Sequence, residues 1–146
     1  MPEPLRLTYR VDGEDFAAAG SASGEVKRLL KQLGLDSDII RRVSICMYEG
    51  EINMVLHADG GEATVEIDDE KIIILLKDKG PGIPDVDLAM QEGWSTAGES
   101  ARNLGFGAGM GLPNMKKYSD DMRIDTEVGV GTTVKMVVVL NGGKKV

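Results

Sequence analysis

The chain has 146 residues, 42% of them hydrophobic, enough to bury one core and too few for two ordinary domains, so one domain with an ordered core over residues 5–140 is expected. A formal charge of -7 and the lack of a long basic block argue against nucleic acid as a partner, while leaving ATP with its magnesium open. A single cysteine, Cys46, and a single histidine, His57, exclude an internal disulfide and a Cys/His zinc site, and no apolar run of spanning length or signal-peptide pattern is present, so a cytoplasmic protein without a membrane partner is expected.

Residues 5–11 alternate Leu5, Leu7, Tyr9 and Val11 against Arg6, Thr8 and Arg10, the period of a half-buried strand. Residues 15–33 carry Val26, Leu29, Leu30 and Leu33 at helical spacing, and Gly34 is a natural stop; the segment Gly20-Ser-Ala-Ser-Gly24 weakens the first half. Asp36 or Ser37 caps a second helix that runs to about His57 and ends at Asp59-Gly60-Gly61. Two strands follow at residues 62–68 and 71–77, joined by an acidic turn at Asp68-Asp69-Glu70. The second of them, "IIILL", is apolar without alternation, as in a central strand. A short helix is expected after Pro84, and residues 94–106 are polar and small enough for a mobile loop. Pro113 suits the first turn of a helix over residues 112–118, and strands are expected at 122–128 and 132–140, with a frayed tail at 141–146. This order gives the α+β class, a sheet with helices on one side.

The stretch Gly105-Phe-Gly-Ala-Gly-Met-Gly-Leu-Pro-Asn114 places glycines at alternate positions. A dinucleotide fingerprint would need glycine at Met110 or at Leu112, and a Walker A loop would need Ser or Thr where Lys117 follows Lys116, so both common phosphate loops fail. A flexible link before a helix remains open.

Three other clusters carry chemistry. Glu49, Asn53 and His57 recur every four residues and share one side of the second helix. With Ile45 at zero on a helical wheel, Ile52 and Leu56 fall within about 20°, Glu49 near 40° and Asn53 near 80°, so Glu49 sits inside or beside the apolar face. A carboxylate there must pair, meet water in a cleft or coordinate something, or else reach solvent as a boundary residue. His57 near the helix end reads equally as a partner of a backbone carbonyl. The run Asp78-Lys-Gly-Pro-Gly-Ile-Pro84 places an acceptor-only carboxylate at a strand end, suited to an exocyclic amine, although it also reads as a turn. Gly129-Val-Gly-Thr-Thr133 joins two strands and could be only a hairpin.

The order of these clusters resembles the N, G1, G2 and GT boxes of the GHKL or Bergerat-fold ATP-binding domains, over residues 5–140. Within that superfamily, "WSTAG...GAGMGLPNMKKYSD" looks like the anti-sigma and switch-type serine/threonine protein kinases. The resemblance implies a two-layer α/β sandwich with a mixed, mainly antiparallel sheet and helices on one face. It implies Asp78 and Thr132 at adenine, Gly80 and Gly82 under the base, Asn53 on Mg²⁺, and Gly107, Gly109 and Gly111 in a lid over the phosphates. Glu49 would be the base for an incoming Ser or Thr hydroxyl, with Arg102 and Lys116 as candidate phosphate contacts. The loop at residues 94–107 is a few residues longer than in the shortest switch kinases. By the same resemblance the substrate is a STAS-type anti-sigma factor antagonist, a sigma factor or other effector is a further partner, and a homodimer is allowed. Two alternatives stay open, a nucleotide-gated binding module without transfer and a detached histidine-kinase-type ATPase domain.

Overall fold

The computed structural model describes residues 5–12, 20–57, 60–80 and 111–140. Strand β1 (Leu5–Asp12) leads to helices α1 (Ser21–Gln32) and α2 (Ser37–His57), then strands β2 (Gly60–Ile67) and β3 (Lys71–Asp78). Helix α3 (Gly111–Tyr118) and strands β4 (Asp121–Glu127) and β5 (Gly131–Val139) complete the described elements. The expected short helix after Pro84 and the loop at residues 94–106 lie outside the described residues.

The five strands form one sheet in the order β1-β2-β3-β5-β4. Expected to be mixed and mainly antiparallel, it is antiparallel at every described pairing. The "IIILL" strand is the central one. Ile72, Ile74 and Leu76 are buried beneath the helices, and Ile73 and Leu75 are half-buried on the other face, which explains the missing alternation. Facing them, Ala63, Val65, Val134, Met136 and Val138 extend the buried layer across β2 and β5. The helices close it with Val26 and Leu30 of α1, Val43 and Met47 of α2, and Leu112 and Met115 of α3.

Helix α2 begins as its sequence indicates, with Asp36 Oδ2 accepting the Asp38 N–H at 3.2 Å. It approaches the sheet at Gly50, where a Cβ would collide with the Leu76 side chain. Glycine in a helix interior costs about 1 kcal/mol relative to alanine, and here that freedom from a side chain lets the helix lie close on β3. Further along, a Cβ on Gly61 would meet the Lys77 carbonyl and come within 2.9 Å of Met54 Sδ and 3.0 Å of Asp78 Cα. The second half of α2 therefore rests over the C-terminal end of β3, where Asp78 stands.

Helix α1 departs from expectation at its start. Gly20 has φ 100°, outside helical geometry, and the helix begins at Ser21; the part expected over residues 15–19 lies outside the described residues. The first turn is fixed from a distance. The N–H groups of Gly20, Ala22 and Ser23 donate to the Glu51 carboxylate at 3.1, 3.1 and 2.7 Å. These are the donors that a helix N-terminus leaves without partners, and a charged acceptor also suits the positive end of the helix dipole. At the other end Gly34, with φ 75°, terminates α1 as expected.

Candidate active site

Asp78 is the last residue of β3, half-buried, on the helix-facing side of the sheet. Its Oδ1 accepts the N–H of Gly80 at 2.9 Å and of Thr132 at 3.1 Å. The first bond closes a tight turn after the strand, and the second ties that turn to β5. Gly131 makes the tie possible, because it has φ 151° and a Cβ there would strike the Asp78 carbonyl. Both bonds recorded among the described residues engage Oδ1. The carboxylate is thereby held in one orientation, with Oδ2 lone pairs to offer a donor. Beside it, Thr132 is 8% exposed and its hydroxyl lies 2.9 Å from the Thr126 hydroxyl of β4.

Glu49 is half-buried on α2, where the wheel places it, and its Oε2 accepts the side-chain N–H of Asn114 at 2.9 Å. Asn114 stands on α3, three residues after Gly111, so the candidate base is bonded to the helix that follows the glycine-rich stretch. Asn53, one turn beyond Glu49, is half-buried as well. Through the Gly50 and Met54 approaches described above, α2 carries Glu49 and Asn53 toward the strand end that holds Asp78. Gly80 sits in the turn under Asp78, and Gly111 opens α3. Lys116 is solvent-exposed in the last turn of α3, at the end away from Gly111. Gly82, Gly107, Gly109 and Arg102 lie outside the described residues, as does the side chain of His57.

Helices α2 and α3 are also joined through Cys46 and Arg42. The Cys46 thiol donates to the Met115 carbonyl at 3.7 Å, and Arg42 donates to the Tyr118 carbonyl at 3.0 Å and pairs with Asp120 at 3.0 Å. Burial pushes the Cys46 thiol up to about 12; Arg42 pulls it back, and the carboxylates of Glu49 and Asp120 add to the rise. Cys46 is a protonated packing residue, far from the thiolate that a reactive cysteine needs.

Three residues of this region were not singled out by sequence reasoning: Glu51, Asn114 and Thr126. The signal for Glu51 was present, since a 21-residue helix with Ile39, Ile40, Val43, Met47, Ile52 and Val55 spread around it must be packed on several sides, and a carboxylate in its middle must find partners. Asn114 and Thr126 carry no such signal.

The donor set fits a magnesium nucleotide. Asp78 and Thr132 supply acceptors where an amine would dock, and Asn53 supplies an amide oxygen of the hard type magnesium takes. Among the described residues no cluster of three or more His, Cys, Asp or Glu side chains could cage a metal by itself.

Comparison with known proteins identifies the family. The family model of the histidine kinase-like ATPase domain matches residues 14–138. The serine/threonine-protein kinase RsbT of Bacillus subtilis (strain 168) is 29% identical over 115 residues, covering 76% of this chain and 80% of that protein. The anti-sigma F factor of Pasteuria penetrans is 30% identical over 149 residues, covering 97% of this chain and 93% of its own. Among solved structures, the RsbU and RsbW domains of Rv1364c from Mycobacterium tuberculosis match with a TM-score of 0.64 and 17% identity over 93% of this chain, which spans 32% of that one; the likeness is one of fold. The chain belongs to the histidine kinase-like ATPase domain family and, within it, to the anti-sigma and switch type of serine/threonine-protein kinase.

Proposed function

We propose that this chain, as a single cytoplasmic kinase domain, transfers the γ-phosphate of ATP to a serine or threonine of a STAS-domain regulator and also binds a sigma factor or similar effector. The observation that carries the reading is Glu49: a half-buried carboxylate, held at one oxygen by Asn114, one turn from Asn53 on the helix that leads to Asp78. A pure binding module has no use for a base at that place. Relatives named serine/threonine-protein kinase and anti-sigma F factor support the substrate and effector classes.

In this reading Asp78 Oδ2 accepts a hydrogen bond from the adenine amine, and Thr132 supports the base. Gly80 and Gly82 let the backbone come close to the ring, and the N–H groups from Gly107 to Gly111 cradle phosphate oxygens near the start of α3. Arg102 and Lys116 are candidate partners for the γ-phosphate. Asn53 would hold magnesium, which neutralises phosphate charge when bound. Glu49 Oε1 takes the proton of the incoming hydroxyl as its oxygen bonds to the γ-phosphorus; the bond from that phosphorus to the β,γ-bridging oxygen breaks, and ADP leaves. Most of the catalysis is positioning and charge neutralisation.

The test is incubation with labelled ATP, magnesium and STAS-domain proteins encoded beside this chain. Acid-stable phosphoserine or phosphothreonine is expected. ATP binding without transfer would favour a nucleotide-gated binding module, and acid-labile phosphohistidine on a partner would favour a histidine-kinase-type domain.

A further inference from the structure

We propose that the groove between α1 and α2 docks an acidic amphipathic helix of the protein substrate, one helical turn from Glu49; the inference rests on the kinase reading above. The two helices form a hairpin across Gly34 and leave between them an open groove of about 350 Å³. Lys27 and Lys31 of α1 and Arg41 of α2, all exposed, stand along it. Ile40, buried, and Ile45, half-buried, give it an apolar lining. Ser44 offers the groove no proton, because its hydroxyl donates to the Ile40 carbonyl at 2.6 Å.

The charge is all of one sign. No lining residue is acidic, in a chain whose formal charge is -7. Arg41 is already held, by Asp38 Oδ1 at 3.1 Å and over the Tyr118 ring at 5.3 Å from its centre. Lys27 and Lys31 are not: neither has a carboxylate partner among the described residues. At spacing four on α1 they also bring like charges together, which costs an isolated helix stability. The helix dipole accounts for a cation in the last turn, where Lys31 stands, but not for Lys27 a turn earlier. Carboxylates one turn apart on an incoming helix relieve that repulsion, and the apolar residues beside them cover Ile40 and Ile45, as when an amphipathic helix lies in a groove between two others. A small anion would answer the lysines and leave the apolar lining in water. The place of the groove names the partner. Ile45 precedes Glu49 by one turn of α2, about 6 Å along the axis, and Tyr48, 41% exposed, continues the surface beside it. A segment seated there ends at the candidate base, where a substrate must bring its hydroxyl and a merely bound effector need not go.

Steady-state phosphotransfer to the STAS-domain protein encoded beside this chain, at saturating magnesium-ATP, tests this on a variant carrying both Lys27→Glu and Lys31→Glu. The KM for the protein substrate should rise by about tenfold or more, with kcat and the magnesium-ATP affinity near wild type. Added salt should raise the wild-type KM and leave that of the variant level or lower, because screening weakens an attraction in one and a repulsion in the other. If the charge-reversed protein fails to fold, Lys27→Ala with Lys31→Ala should raise KM by about threefold with the same split. A KM within about twofold of wild type in a folded charge-reversed protein overturns the proposal, and so does a loss of kcat or ATP affinity with KM unchanged. No transfer by the wild type would instead overturn the kinase reading itself, and the docking with it.

Discussion

Helix α2 carries two glutamates two residues apart that face opposite ways and are treated oppositely. Glu51 is 3% exposed on the α1 side, where both of its oxygens accept backbone N–H groups. Glu49 is half-buried on the α3 side, where one oxygen meets one side-chain amide. A carboxylate that is buried and held at both oxygens by backbone donors is a structural member; it caps a helix and is turned away from any ligand. One held at a single oxygen is oriented and still able to accept a proton. Both glutamates lie on one helix, so the helix packing that Glu51 secures also sets where Glu49 stands.

The comparison breaks if the roles are exchanged. Glu51→Ala should produce the largest loss of stability, about 3 kcal/mol or more, since it leaves several buried donors without their charged acceptor. Chemical denaturation measures it, and a stability within about 0.5 kcal/mol of wild type would show that Glu51 is not a cap of consequence. Asp78→Asn should weaken ATP binding by about 1.5 to 3 kcal/mol in calorimetry, the scale of a charged hydrogen bond, with little change in stability. Asn114→Ala should lower kcat by about tenfold while leaving the ATP affinity near wild type, because it frees the Glu49 side chain without touching the base site. A parallel fall in ATP affinity would mean that Asn114 acts through nucleotide binding and not through Glu49.

The effect most remote from the site, absent at neutral pH, is in the pH dependence. The folded pKa of Cys46 is raised to about 12 from an ordinary 9.0, so its contribution to stability is complete below about pH 9 and is lost as the pH climbs toward 12. Against wild type, Cys46→Ala should show a shallower alkaline loss, by up to about 1.4 kcal/mol per pH unit over that interval. Parallel curves for the two proteins would remove the buried thiol from the account.

Much of the framework was legible because it is local. The Asp36 cap, the turn held by Asp68 Oδ1 at Glu70 and Lys71, the stop at Gly34 and the central position of β3 all follow from neighbouring residues. Among the site residues, Glu49 and Asn53 could be placed on one side of α2 by periodicity, and Asp78 at a strand end by the glycines behind it. What escaped was tertiary. The start of α1 is set by Glu51, 28 to 31 residues away in sequence, and the partner of Glu49 is 65 residues away, so no local pattern announces either. The hydroxyl pair of Thr126 and Thr132 depends on the register of β4 against β5, which a hairpin sequence suggests but does not specify.

The account turns on Glu49 as the base, and one experiment addresses it most directly: phosphotransfer by Glu49→Gln at saturating magnesium-ATP, with ATP affinity measured on the same preparation. The account predicts an affinity close to wild type and transfer reduced by at least about a hundredfold. Transfer at the wild-type rate with that affinity intact would contradict it.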